Sequence, residues 1–188
     1  MRFLPFALIC LFFVPASRVA ADPAPSKPAE STLTFYVSGV ECPACVFSVN
    51  DSVRRLDGVE EVIDGQNNAN FINVTFDPRK VSAHQIAQAV TDAFPLHGAP
   101  YVATMRLLVP GYAEGGTAEK VAGVFAKWKD WVEFEAAKPG KGELVVRFRP
   151  LEGGDTKDSV RGWDHIALTT SLAQILPAGT QVAWMTEK

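Results

Sequence analysis

The chain has 188 residues, 18 basic against 21 acidic side chains, a net charge of −3, 47% hydrophobic and 21% charged residues. A mildly acidic balance gives no electrostatic footing for nucleic acid or anionic lipid, and the length bounds the fold to one large domain or two small ones. Three cysteines in 188 residues, two of them only three positions apart, exclude a disulfide scaffold.

Residues 1–21 read as a secretory signal: Arg2 supplies the basic start, Phe3 to Val14 the apolar stretch, and Val19-Ala20-Ala21 a small-residue cleavage site. That stretch is too short to span a bilayer, and no later segment approaches the needed length. Cys10 lies within it, and Leu8-Ile9 before it does not suit a lipoprotein anchor. The expectation is an exported protein, periplasmic or secreted, with no membrane span in the mature chain. Removing Arg2 and Arg18, and no acid, takes the net charge from −3 to −5. Residues 22–31, rich in Pro, Ala and Ser, read as a flexible linker.

Leu33, Phe35 and Val37 then alternate with Thr34 and Tyr36, the pattern of a half-buried strand. In the helix-like run from Val46 to Leu56, Val46, Val49, Val53 and Leu56 share one face, and Asp57-Gly58 ends it. Val59 to Ile63 is a second strand, followed by a turn rich in Gly and Asn between Asp64 and Asn70. Ile72, Val74 and Phe76 make a third strand, stopped by Asp77-Pro78. Ser82 and Gln85 form a capping box before a helix carrying Ile86, Val90 and Ala93, and Tyr101 to Thr104 supply a fourth strand. The order β-α-β-β-α-β is the split βαβ, ferredoxin-like unit of an α+β fold.

A shift of 72 residues superimposes the second half on the first. Val37, Gly39, Val49, Glu61, Val74, Phe76 and Pro78 fall on Val109, Gly111, Val121, Glu133, Val146, Phe148 and Pro150, and the apolar phases match without a gap. After Pro150 the copies diverge into a Gly-rich, charged insertion over residues 151–162, a helix over 163–176 and a last strand over 181–186. The expected organisation is tandem ferredoxin-like domains over 32–104 and 105–188, the second a degenerate repeat. In that repeat Cys42 maps to Glu114 and Cys45 to Thr117, and Thr117 is expected to cap its helix.

The stretch Gly39-Val40-Glu41-Cys42-Pro43-Ala44-Cys45 sits at a strand-to-helix turn. A Cys-x-x-Cys there can grip a soft metal ion or exchange thiols with a disulfide, because the helix N-terminus favours thiolate in both uses. Two thiolates select Cu(I), Hg(II) or Zn(II) over hard cations. One such pair supplies half the ligands of a closed zinc site, so the site is open.

Gly39-Val40-x-Cys42-x-x-Cys45, Val49, Leu56-x-Gly58-Val59 and Val74-x-Phe76-Asp77-Pro78, taken in order, resemble the heavy-metal-associated domain found in periplasmic mercury-binding proteins, copper chaperones and metal-transporting P-type ATPases. The resemblance covers residues 32–104 and implies one soft metal ion held by Cys42 and Cys45, with a metal-transporting or metal-accepting protein as partner by ligand exchange. The chain departs from the family in Val40 for Met, in Glu41 for Thr, and in Phe94-Pro95-Leu96-His97 for a Gly-aromatic loop. The last two departures make Glu41 and His97 the candidate accessory ligands.

The alternative readings are a periplasmic thiol-disulfide oxidoreductase and an adaptor with a vestigial metal site. No Ser-His-Asp or paired-carboxylate pattern supports an enzyme. The glycines between Gly111 and Gly116 lack the Lys-Ser/Thr of a phosphate loop. His84 and His165 read as surface or packing residues, and Trp128, Trp131, Trp163 and Trp184 as core or interface aromatics.

Overall fold

The computed structural model describes residues 30–65, 70–151 and 161–188. The expected leader and linker up to residue 29, the middle of the turn after residue 64 and most of the insertion after Pro150 lie outside the described residues.

The elements follow in order: β1 (Ser31–Ser38), α1 (Pro43–Arg54), β2 (Val59–Asp64), β3 (Phe71–Phe76), α2 (Ala83–Asp92), β4 (Val102–Leu108), α3 (Thr117–Phe125), β5 (Val132–Lys138), β6 (Glu143–Phe148), α4 (His165–Ile175) and β7 (Ala183–Trp184). All seven strands form one sheet in the order β2-β3-β1-β4-β6-β5, with β7 also paired to β4. The path β2-β3-β1-β4 is one ferredoxin-like sheet, and β5-β6-β4-β7 repeats it. The protein is therefore a tandem α+β ferredoxin-like fold, and β4 serves as last strand of one unit and first strand of the next.

Residues Val102 to Thr104 of β4 pair with β1. Residues Thr104 to Leu108 pair with β6, and Leu107 and Leu108 also pair with β7. The strand thus crosses position 104 without interruption. Its alternate residues Ala103, Met105 and Leu107 are all buried, so the cores of the two units are one contiguous cluster. The repeat is kept in register: β6 lies 72 residues after β3 at both ends. Leu33, Phe35, Val49, Val53 and Val74 of the first unit are buried, as are Met105, Leu107, Val121, Phe125 and Val146 of the second.

Several boundaries move from their sequence expectation for local reasons. Helix α1 starts at Pro43 rather than Val46, since proline at the first helical position gives up an N–H that has no partner there anyway. Helix α4 is shorter than residues 163–176 because Asp164 caps it, its carboxylate accepting from the Ile166 N–H at 2.8 Å. Thr117 is not the cap of α3. Gly116, in a left-handed conformation (φ 75°), precedes the helix with no side-chain cap bond, and Thr117 is the first helical residue. The Ser82–Gln85 capping box of α2 forms in both directions.

Two contact sets lock the units together. His84 of α2 is fully buried: its Nε2 is 2.7 Å from the Arg149 carbonyl, and its Nδ1 accepts the Trp163 N–H at 3.2 Å. That pairing places the proton on Nε2, and burial holds the imidazole below its usual pKa. At the other side of the sheet Glu187, the residue before the last, accepts from the Tyr36 hydroxyl at 2.6 Å and donates its N–H to Thr34 Oγ1 at 3.1 Å. His165 is likewise buried, against Phe76 and Trp184. Both histidines and Trp163 are therefore packing residues. Among the described residues no helix is long and apolar enough to cross a membrane.

Candidate metal centre

The centre is built on the turn from β1 into α1. Gly39 makes the turn with a positive φ of 86°, and a Cβ there would stand 3.4 Å from the Pro100 carbonyl and 3.5 Å from the Tyr101 ring. The chain then runs extended at Cys42 (φ −151°, ψ 160°), which is the N-cap of α1. The Cys42 sulfur accepts the Cys45 N–H at 3.3 Å, taking the place of a serine or aspartate cap. Pro43 follows at once, and Cys45 closes the first turn.

This geometry brings the sulfurs of Cys42 and Cys45 to 2.8 Å, with both cysteines free rather than in a disulfide. The two are not equivalent. Cys45 is fully buried, whereas Cys42 is half-buried and faces the loop between α2 and β4. On that loop His97 places Nε2 3.4 Å from the Cys42 sulfur. The donor atoms of Cys42, Cys45 and His97 all lie within 4.8 Å of one another, and no other such group of three exists among the described residues. Glu41 is exposed and stands outside this group, so of the two accessory candidates it is His97 that the fold brings to the thiols.

Tyr101, the residue just before β4, completes the pocket wall. Buried beneath the loop, its hydroxyl accepts the Leu96 N–H at 3.4 Å. Burial pushes the Cys45 thiol up, but hydrogen bonds from the Cys42 side chain, the Glu41 backbone, the Tyr101 hydroxyl and the Cys42 backbone outweigh it. The result is a pKa lowered to about 6. Burial and the bond to Cys45 raise the pKa of Tyr101 itself. Sequence reasoning used Tyr101 only as a strand residue. The available signal was its place directly after Pro100, opposite a glycine that must let something close approach.

Chemically, two sulfurs and one imidazole form a soft, three-donor set with an open side. A thiolate at Cys45 would be fixed by the surrounding hydrogen bonds, and Cys42 is the donor an incoming ligand can reach. The second unit has no equivalent: Glu114 and Thr117 replace the cysteines, and Gly115-Gly116 replaces Pro43-Ala44.

No family model matches the chain. Its sequence is 36% identical over 78 residues to the mercuric transport protein periplasmic component of Pseudomonas fluorescens, covering 42% of this chain and 85% of that protein. It is 42% identical over 59 residues to a copper chaperone of Bacillus subtilis, covering 31% of this chain and 84% of the chaperone. Among solved structures, oxidized MerP from Ralstonia metallidurans matches at 32% identity over 40% of this chain and 97% of that one, with a TM-score of 0.34. Each relative is matched over most of its own length. With the paired cysteines on the β1–α1 turn of a ferredoxin-like unit, the chain belongs to the heavy-metal-associated family of these transport and chaperone proteins.

Proposed function

We propose that the protein is an exported carrier or buffer for one soft metal ion, Cu(I) or Hg(II) before Zn(II). The ion is bound by the thiolates of Cys42 and Cys45, with His97 as third donor. The observation that carries this reading is the unequal sulfur pair: Cys45 is buried and hydrogen-bonded, while Cys42 is half-open beside an imidazole 3.4 Å away. A resident structural ion is held by four protein ligands, and a cargo ion needs a side from which it can be taken. The ranking of metals follows from the sulfur-rich donor set and from relatives named for mercuric transport and copper delivery. Export is supported by the signal-like pattern of residues 1–21 and by relatives named as periplasmic components. In this reading residues 32–104 hold the cargo, and residues 105–188 are a copy that has kept the fold and lost the donors.

Native mass spectrometry of the protein purified without chelator tests the reading, with thiol titration alongside. One ion per chain and two protected thiols are expected. Catalytic reduction of insulin by the protein with dithiothreitol, and no retained ion, would move it to the thiol-disulfide oxidoreductases.

A further inference from the structure

Two strands compete for one edge of the shared strand β4. Thr104 pairs with Arg147 of β6 and, across its other edge, with Tyr36 of β1. Leu107 pairs with Leu144 of β6 and, across that same other edge, with Trp184 of β7. β1 and β7 therefore lie on the same side of β4, and each takes part of it. On its far side β1 is paired from Ser31 to Tyr36 with β3, whereas toward β4 its pairing covers only Tyr36, Val37 and Ser38.

The β1 pattern does not stop at Tyr36. Continuing its register puts Phe35 opposite Met105, Thr34 opposite Arg106 and Leu33 opposite Leu107. Phe35, Leu33, Met105 and Leu107 are all buried in the common core, so the longer pairing turns no side chain over. The C-terminal segment stands in those places instead. Trp184 is opposite Leu107, and the Met185 N–H donates at 2.9 Å to the Arg106 carbonyl, the acceptor that Thr34 would otherwise face. Beyond it Glu187 is clasped by side chains of the first unit. The Tyr36 hydroxyl donates to its carboxylate at 2.6 Å, the Asn73 amide donates to its carbonyl at 3.0 Å, and Thr34 Oγ1 accepts its N–H at 3.1 Å. The Arg106 guanidinium lies 4.0 Å from the centre of the Tyr36 ring and closes the clasp.

The segment's own ladder holds it weakly. β7 is two residues long, and the indole Nε1 of its Trp184 is buried with no hydrogen-bond partner among the described residues. The contested edge also lies where it matters. Ser38 runs into the Gly39 turn and Val102 follows Tyr101, so the short β1–β4 ladder is the seam beneath the metal centre.

We propose that residues 183–187 are a displaceable wedge, and that β1 and this segment exchange on one edge of β4. Withdrawal of the wedge lets β1 pair on past Thr104. The step exchanges backbone hydrogen bonds, the Thr34 N–H replacing the Met185 N–H at the Arg106 carbonyl, with no covalent change. The wedge thereby sets how long a ladder joins the strand that leads to Cys42 to the strand that follows Tyr101. The proposal goes beyond the carrier reading and does not depend on it, since it needs no metal.

Amide hydrogen exchange of the metal-free full chain, followed residue by residue by NMR, tests it. Met185→Pro removes the competing N–H without shortening the chain. The Thr34 amide should then exchange on the order of tenfold more slowly than in wild type, the factor that matches one ordinary backbone hydrogen bond. Tyr36→Phe/Glu187→Gln opens the clasp and leaves every backbone donor in place, so it decides the matter if the proline variant does not fold. In it the Met185 amide should exchange faster and the Thr34 amide more slowly. Opposite movement of two amides that share one acceptor is the signature of exchange, whereas a segment that only packs would release both together. Unchanged or faster exchange at Thr34 in either folded variant overturns the proposal.

Discussion

The loops at 39–45 and 111–117 occupy the same place in two copies of one unit, between the first strand and first helix, and only the first carries paired thiols. The difference lies in backbone as much as in side chains. Pro43 starts α1 directly after Cys42, so both cysteines sit on the first turn. In the second loop Gly115 and Gly116 are both left-handed (φ 55° and 75°), and α3 starts at Thr117, two residues later in the aligned register. Thr117 inherits the buried place of Cys45. A packing position survived the loss of the thiols, while the position of the half-buried Cys42 became an exposed acid.

The largest effect expected is on the first loop. Replacing Cys42 and Cys45 by serine should abolish retention of the single ion. The ion should stabilise the wild type by about 2.7 kcal/mol at a hundredfold excess over its Kd and leave the serine variant unmoved. Thermal melts with and without Hg(II) measure both. A melting temperature that still rises in the variant would place metal elsewhere.

The comparison is sharpened by trying to rebuild the site in the second loop. In the serine background, Glu114→Cys/Thr117→Cys restores two thiols on a turn that lacks the cap geometry. Its affinity should fall short of the native site by on the order of 10- to 100-fold, as when supporting groups at a metal site are lost. Adding Gly115→Pro should recover part of the loss by starting the helix earlier. Equal affinity without the proline would mean that thiol identity alone makes the site.

A third prediction concerns the seam rather than the loops. His84 and His165 are both buried neutral, with pKa values lowered by desolvation. The unfolded chain, with ordinary imidazoles near 6.5, therefore binds more protons than the folded one once the pH drops below that value. Stability should be fully present above about pH 6.5. It should be lost as the pH falls toward the depressed native values, at up to about 1.4 kcal/mol per pH unit for each proton involved. Urea melts of the metal-free protein between pH 7 and 5 measure this. His84→Gln should flatten the slope, because an amide can keep a bond to the Arg149 carbonyl without titrating. A slope unchanged in His84→Gln and in His165→Gln would assign the acid sensitivity to other groups.

Most of this architecture was legible in the sequence. Period-two alternation in β1 and β3, the Ser82–Gln85 box and the ungapped 72-residue offset are local signals, and each became the element it implied. What was not legible came from pairing across distance. That β4 would be shared by the two units of one sheet depends on which edges meet, and Val102 to Leu108 carries the same alternation either way. The start of α3 depended on backbone angles at two adjacent glycines, which a Thr in the right column could not reveal. In the site, the two cysteines were evident from spacing. Their unequal exposure and the contribution of Tyr101 were not, because both arise from a loop whose His97 lies 55 residues after Cys42.

The smallest predicted effect separates the two accessory candidates, which sequence alone placed side by side. Glu41 neighbours Cys42 in the chain, yet it is exposed and outside the donor cluster; His97 is remote in the chain and lies 3.4 Å from the Cys42 sulfur. An ion satisfied by two thiolates gains little from a third donor, whereas Zn(II) prefers four ligands and should use the imidazole. His97→Ala should therefore weaken Zn(II) by on the order of tenfold, the lower end for losing a supporting group at a metal site, and Cu(I) by less. Glu41→Gln removes a carboxylate that reaches no donor atom, so its effect should be confined to weak, salt-screened attraction for the cation. Competition against chelators at fixed pH, with both thiols reduced and at low and high salt, distinguishes the two variants. A salt-independent loss of Zn(II) affinity in Glu41→Gln matching that of His97→Ala would mean that the carboxylate swings in to bind once metal arrives. The accessory role would then belong to the residue beside the cysteine after all.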